Sequence, residues 1–293
     1  MTDLLASVPL KIDIFVDSWT GKHQNAAHIA KAMHAIGYRV TIVYCDENDI
    51  LPSDPCRLVL VPREWFFGKK FEKCLNEFSG DIMLHITADA RCDDWCALVR
   101  RCREAFERVP QLGIWSPTIE GSNCWTLERT AIATIEAGSL HLVTQTNEIV
   151  WALSAEVVNH MRSFDFDKSN LGGGIDTAAA LFCHVNNKLI AVDGTVFVHH
   201  PHGTSYDSDE SRKQMENFLK QLTAQEQAQH ELIREYFNRS HIITERDGLR
   251  AERDALKTER DGLLNLIEIW RRRLRWPLWV RARLRELFPR HSP

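Results

Sequence analysis

The residues best suited to chemistry gather between Phe164 and Tyr206, in the stretch FDFDKSNLGGGIDTAAALFCHVNNKLIAVDGTVFVHHPHGTSY. Asp176 follows the triplet Gly172 to Gly174 and opens a predicted helix, Thr177 to Val185. Glycines, among them Gly173 and Gly174, let a backbone approach a bulky ligand closely. A carboxylate just after them, near a helix N-terminus, is placed to accept a proton; the plainer alternative is a helix cap backed by Thr177. Predicted strands Lys188 to Val192 and Thr195 to Val198 deliver His199, His200 and His202 to one strand end. Imidazoles there are candidate metal ligands, and alternation along a strand lets at most one of His199 and His200 face a given site. A second carboxylate, Asp89, ends the strand Ile82 to Ile86 in Thr87-Ala88-Asp89-Ala90. A hard oxygen ligand at such an edge suits a divalent cation on a phosphate group. Its alternative is a cap on the helix that begins at Asp93-Asp94-Trp95. Asp17 and Asp46 end the first two predicted strands, where they either meet a ligand or cap helices.

Alternating elements must position these groups. Lys11 to Val16 is an apolar run that predicts a buried strand. Ala26, Ile29, Ala30, Met33 and Ile36 have helical spacing, and Gly37 ends that helix. Arg39 to Tyr44 is a second strand, so strand, helix and strand form a βαβ unit with a parallel sheet. Arg57 to Val61 predicts a third strand, Gly68 to Phe78 a helix, and Trp95 to Phe106 another. Pro110 to Ser116 and Ser139 to Thr144 predict further strands, and Trp151 to Met161 an amphipathic helix carrying Glu156.

Phe164-Asp165, Gly174-Ile175-Asp176 and His200-Pro201-His202-Gly203-Thr204-Ser205 together resemble the acceptor half of an inverting, GT-A type family 2 glycosyltransferase. Asp89 stands where that family ends its Asp-x-Asp. The resemblance covers Lys11 to Tyr206. It implies an α/β fold of GT-A type, a Rossmann-like mixed sheet with flanking helices, followed here by a C-terminal helical, coiled-coil extension. It also implies transfer of a sugar, with inversion, from a nucleotide-diphospho-sugar to a glycan or lipid-linked acceptor, in polysaccharide biosynthesis. Asp176 would then be the general base. Asp89 and His200 would hold Mn²⁺ or Mg²⁺, and Asp17, Asp46, Gly173 and Gly174 would line the nucleotide. Thr87 and Ile175 occupy positions where the family usually has acids. Those two residues support a rival expectation, a non-catalytic GT-A-like binding or scaffold protein at the membrane.

The chain has 293 residues, 44% hydrophobic and 26% charged, which is ordinary for a globular protein. Eight cysteines scattered over a large domain suit reduced thiols and a cytoplasmic setting. From Leu266 onward the net charge is +6, so the rest carries −10 of a total of −4. An acidic body argues against nucleic acid as its substrate. The expected organisation is a glycosyltransferase domain over 1–206, a helical spacer over 207–265 and a basic tail over 266–293. In the spacer Ile242, Leu249, Leu256, Leu263 and Trp270 recur every seven residues, a thin seam that suits either weak homo-oligomer pairing or a free helical spacer, with a break expected at Asn238-Arg239-Ser240. In the tail Arg271, Arg272, Arg273, Arg275, Arg281, Arg283 and Arg285 alternate with Trp270, Trp276 and Trp279. Arg and Trp on short amphipathic helices fit an anionic bilayer surface, here the inner face of the cell membrane, with a partner-protein groove or RNA as the rival readings.

Overall fold

A computed structural model describes residues 10–45, 56–121, 125–135, 139–201 and 207–273, without the side chains of 128, 239–247, 250, 251, 254 and 267–273. Asp46, His202 and residues 274–293 of the tail lie outside the described residues. The chain divides into two compact units, Met1–Arg234 and Glu235–Pro293.

Strands β1 (Ile12–Ser18), β2 (Val40–Tyr44), β3 (Arg57–Leu60) and β4 (Ile82–Thr87) are parallel, in the order β3-β2-β1-β4. The near-continuous apolar sequences of β1, β2 and β4 follow from burial on both faces, whereas β3 is an edge strand with Arg57 and Leu60 exposed. Helices α1 (His23–Ala35) and α3 (Trp95–Arg108) cover one face through Ile29, Met33, Leu98 and Cys102. Helix α2 (Phe67–Glu77) covers the other through Phe71, Cys74 and Leu75.

The sheet then turns mixed. Strand β5 (Leu112–Glu120) is followed by the short α4 (Leu127–Thr130) and the edge strands β6 (Ala131–Ile135) and β7 (Leu140–Val143). Next come β8 (Val150–Ser154), α5 (Ala155–Met161), α6 (Ile175–Val185) and β9 (Leu189–His199). The full order is β3-β2-β1-β4-β8-β5-β9-β7-β6, with β8 antiparallel to both β4 and β5. A parallel half joined through one antiparallel strand to a mixed half, with helices on both faces, is the GT-A-type α/β layout that the resemblance implies.

Three local expectations are corrected. Trp151 to Met161 is not one helix. Val150–Ser154 is a buried central strand, and only Ala155–Met161 is helical, capped by Ser154 Oγ accepting from Val157 N at 3.5 Å. Ladders on both sides override the helical pattern of VWALS. The two strands expected over Lys188 to Val198 are one, β9, because Asp193-Gly194 forms an irregularity against β5 rather than a turn. Asp193 is fully buried there, paired with Arg101 Nε at 2.8 Å and accepting from Thr195 N at 2.8 Å. The expected break at Asn238 is absent: α8 runs unbroken from Ala224 to Arg273.

The chain breaks earlier, after α7 (Ser208–Leu219). Phe218 and Leu222 enter the core of the first unit, so α7 belongs to the body rather than to a spacer. Thr223 and Glu226 form a capping box at the start of α8: Thr223 N donates to Glu226 Oε2 at 2.8 Å, and Glu226 N donates to Thr223 Oγ1 at 3.3 Å. Glu226 Oε1 also lies 2.9 Å from His160 Nε2.

Candidate functional site

The carboxyl ends of β1 and β4 lie side by side, with Asp17 paired to Thr87 and Ala88 N donating to Asp17 O at 2.8 Å. Ligands of parallel sheets collect at this edge.

Asp89 sits just beyond β4. Its Oδ1 accepts from Thr87 Oγ1 at 2.9 Å, and its Oδ2 lies 3.1 Å from His200 Nε2. Burial pushes the carboxyl up, but the His200 and Thr87 hydrogen bonds outweigh it and hold Asp89 below the usual aspartate range. His200 reaches Asp89 because backbone bonds clamp the end of β9. Arg91 N donates to His199 O at 2.9 Å, His199 N to Arg91 O at 2.8 Å, and His200 N to Glu120 O at 2.9 Å. Thus His200, not the exposed His199, meets Asp89. A carboxylate oxygen beside an imidazole nitrogen fits a divalent ion whose remaining ligands are phosphate oxygens and water. Among the described residues no three His, Cys, Asp or Glu side chains converge, so these two are the protein's candidate share.

Asp89 also borders a cleft of about 360 Å³ lined by Gly21, Lys22, Gln24, Asn25, His28 and Arg91. Asn25 Nδ2 ties helix α1 to the end of β4, donating to Ala88 O at 2.5 Å and to Ala90 O at 3.1 Å. Lys22 and Arg91 make the cleft suited to an anion. The sequence reading missed these residues. The signal was their position just after β1 and β4, at the binding edge of a βαβ unit.

Asp176 stands in the first turn of α6. Its Oδ2 accepts from Trp125 Nε1 at 2.8 Å and its Oδ1 from Thr177 N at 2.6 Å. Gln145 Nε2 donates to Thr177 Oγ1 at 2.9 Å and to the Asp176 carboxylate. Its fourth neighbour is the carboxyl of Glu148, hydrogen-bonded to Asp176. Both side chains keep a small accessible surface although protein atoms pack around them. Burial raises Asp176 above its ordinary 3.8, against the bonds from Trp125, Thr177, Gln145 and Glu148. Burial and the Asp176 charge push Glu148 well above the usual range. Two carboxyls in one enclosure do not both ionise cheaply, so the pair loses its protons in two steps, Asp176 ahead of Glu148, whose proton the Asp176 charge retains. Glu148 went unnoticed in the sequence because Trp151 was read as helical. As a strand, β8 runs back along β4, and Ile149 O accepts from Thr87 N at 2.9 Å. That bond ties the residue after Glu148 to the end of β4.

The other expected residues fall elsewhere. Asp17 is 1% exposed and lies beneath the site, its Oδ1 3.4 Å from Lys70 Nζ, which also donates to Ser18 O at 2.9 Å. Burial pushes Asp17 up to about 7, against the attraction of Lys70. The glycine triplet serves packing rather than an opening to a ligand. A Cβ on Gly173 would lie 3.0 Å from Met215 Cβ, and one on Gly174, whose φ is +88°, 3.1 Å from Met215 Cγ. Helix α7 therefore fills the space that a ligand would need. Ile175 is buried in the core. Glu156 pairs with Lys188 at 2.6 Å on the surface, and Asp165 caps the turn Phe166–Ser169.

Replacing Lys70 with Met leaves Asp17 buried without its cation, which should cost about 3–5 kcal/mol when the carboxylate is ionised. Folded Asp17 keeps its proton to about 7 whereas an unfolded one releases it near 3.8, so the folded state binds more protons between those values. Stability contributed by this group therefore falls as pH rises through that window. Denaturant titrations of the variant should show a larger deficit at pH 8 than at pH 5; an equal deficit would show that Asp17 is not the group exposed by the change.

No family model and no curated protein matches the sequence. Among solved structures, the mannosyltransferase PcManGT from Pyrobaculum calidifontis, in complex with GDP-Man and Mn²⁺, is similar at 14% identity and a TM-score of 0.49, over 68% of this chain and 59% of that one. GalNAc-T7 with UDP, GalNAc and Mn²⁺ is similar at 8% identity and a TM-score of 0.49, over 67% of this chain and 44% of that one. S. aureus TarS is similar at 11% identity and a TM-score of 0.46, over 72% of this chain and 43% of that one. The chain thus spans less than two thirds of each of these three chains.

Proposed function

We propose that the protein is an inverting glycosyltransferase that moves a sugar from a nucleotide-diphospho-sugar to a hydroxyl of a glycan or lipid-linked acceptor. What supports this reading is the Asp89–His200 pair at the edge of a cleft with two cations, together with a second, enclosed pair of carboxyls. The cleft carries Lys22 and Arg91, Asp89 borders it and pairs with His200, and Asp176 and Glu148 form the carboxyl pair. Lys22 and Arg91 hold the diphosphate. Asp89 and His200 hold Mn²⁺ or Mg²⁺, which supplies neutralising charge to the leaving diphosphate. A sugar hydroxyl is too weak an acid to attack unaided, so Asp176 accepts its proton as the oxygen bonds to the anomeric carbon. The bond from that carbon to the diphosphate oxygen breaks with its electron pair on the diphosphate. Glu148 keeps its own proton throughout and leaves Asp176 as the anion. Asp17 and Asp46 are assigned to the nucleotide by the resemblance alone.

Thermal stabilisation across a panel of nucleotide sugars, with and without Mn²⁺, tests donor binding. A ligand at a hundred times its dissociation constant adds about 2.7 kcal/mol. Stabilisation without any transfer or donor hydrolysis would favour the second reading, a GT-A-like binding protein, for which Thr87 and Ile175 speak.

The basic tail, 266–293, docks this enzyme on an anionic membrane in the same proposal, beside lipid-linked acceptors for polysaccharide assembly. Among the described residues no helix is long and apolar enough to cross a membrane. Each Arg near an anionic surface contributes about 1 kcal/mol at most, reduced by salt. Full-length protein should sediment with phosphatidylglycerol vesicles at low salt, and a chain ending at Asn265 should stay in solution. Equal sedimentation of the two would remove the tail from the proposal.

A further inference from the structure

Helix α8 leaves an apolar stripe open to solvent. Leu249, Leu256 and Leu263 are 60%, 59% and 54% exposed, seven residues apart on one side of a 50-residue helix. A Cβ added at Gly248 or Gly262 would meet nothing within 4 Å outside the helix's own backbone, and each glycine costs a helix interior about 1 kcal/mol relative to alanine. A solvated helix with these weak points and an open leucine row gains from a second helix along that row. The repeat states what that helix is. With the leucines at heptad position d, Arg253 and Arg260 fall at a, Glu252 and Glu259 at g, and Lys257 at e. In a parallel two-stranded coil, each g residue meets the e residue of the next heptad on the other strand. Glu252 then faces Lys257 of an identical helix, twice by symmetry, and each Arg at a lies beside a Glu at g across the seam. Antiparallel pairing instead sets g against g and e against e, which opposes like charges. Glu252, Arg253, Lys257, Glu259 and Arg260 are all exposed.

We infer that the Leu249–Leu256–Leu263 face of α8 is the surface on which a second copy of this chain docks, as a parallel, in-register two-stranded coil keyed by Glu252 and Lys257. Arginine at the a layers lowers stability but restricts partner number and register, as polar a residues do. The contact is independent of the catalytic reading, since no residue of the sheet edge takes part.

Sedimentation equilibrium of the full chain at tens of micromolar provides the test. Wild type should weigh about twice 33.8 kDa, and Leu256→Asp should return it to a single mass. Glu252→Lys alone and Lys257→Glu alone should each weaken the dimer at least about tenfold, which corresponds to about 1.4 kcal/mol. The double variant rebuilds both pairs with signs reversed and should recover the dimer. A monomeric wild type overturns the inference. So does a dimer indifferent to Leu256→Asp, or a double variant no tighter than the single ones.

Discussion

Asp176→Asn should reduce sugar transfer by about 10²- to 10⁴-fold while donor binding and the melting temperature stay close to wild type. The amide keeps the shape of the carboxylate, and its oxygen still accepts from Trp125 Nε1 or Thr177 N. What it loses is the ability to take the proton of the attacking hydroxyl. The size of the loss follows from the pair, not from Asp176 alone. In the variant Glu148 is the carboxyl left beside residue 176; the Asp176 charge no longer acts on it, but burial, the larger cause of its raised ionisation, still holds it back from serving as base. The pH profile separates the two carboxyls. In wild type the acid limb should lie above 3.8, because burial raises Asp176, and a further ionisation belonging to Glu148 should follow at higher pH. Glu148→Gln retains an N–H donor toward Asp176 but removes the second ionisation, so its profile should show one step. Near-normal transfer by Asp176→Asn would place the base elsewhere and leave the buried pair without a catalytic part.

Asp89→Ala should abolish the dependence of nucleotide affinity on Mn²⁺. Its two hydrogen bonds hold the carboxyl below the usual aspartate range, so it is ionised across the neutral range and ready to bind a cation. Removing a metal ligand should exceed the roughly 10- to 100-fold loss that follows removal of an outer-shell partner. Calorimetric titration of the nucleotide with and without Mn²⁺, on folded protein verified by circular dichroism, reads this directly. Wild-type affinity and an intact Mn²⁺ effect in the variant would take the metal away from Asp89. Thr87→Ala is the companion change: it deletes one hydrogen bond to Asp89 without touching the carboxylate, so its effect should be smaller.

The parallel half of the sheet was legible because burial on both faces leaves plain apolar runs, as in Ile12–Ser18 and Ile82–Thr87. Asp89 and Asp176 were legible by type and place, as carboxylates where a strand ends and where a helix begins. Glu148 was not, since VWALS fits a helix face as well as a strand, and only ladders from distant β4 and β5 decide between them. The glycine triplet misled for a related reason. Close backbone approach was read correctly, but the approaching object is α7, which the polar sequence after Asp207 had suggested belonged to a separate spacer. Asp17 was placed at the right edge, yet its burial against Lys70 depends on a helix fifty-odd residues away in the chain.

The insertion of β8 between β4 and β5 sets an order of events in biosynthesis. Strands β1 to β4 leave the ribosome first and can assemble at once, but the neighbour that covers β4 is made only after β5, β6 and β7. At about 5–20 residues per second, β4 spends several seconds as an open edge. Its sequence, IMLHIT, carries no charge, proline or bulge to discourage pairing with another chain, the usual protections of an edge strand. Helices α2 and α3 cover its faces in that interval but not its unpaired backbone groups. The same late strand that brings Glu148 to the site is therefore the one that closes the nascent sheet, and release from aggregation risk coincides with completion of the acid pair's first half.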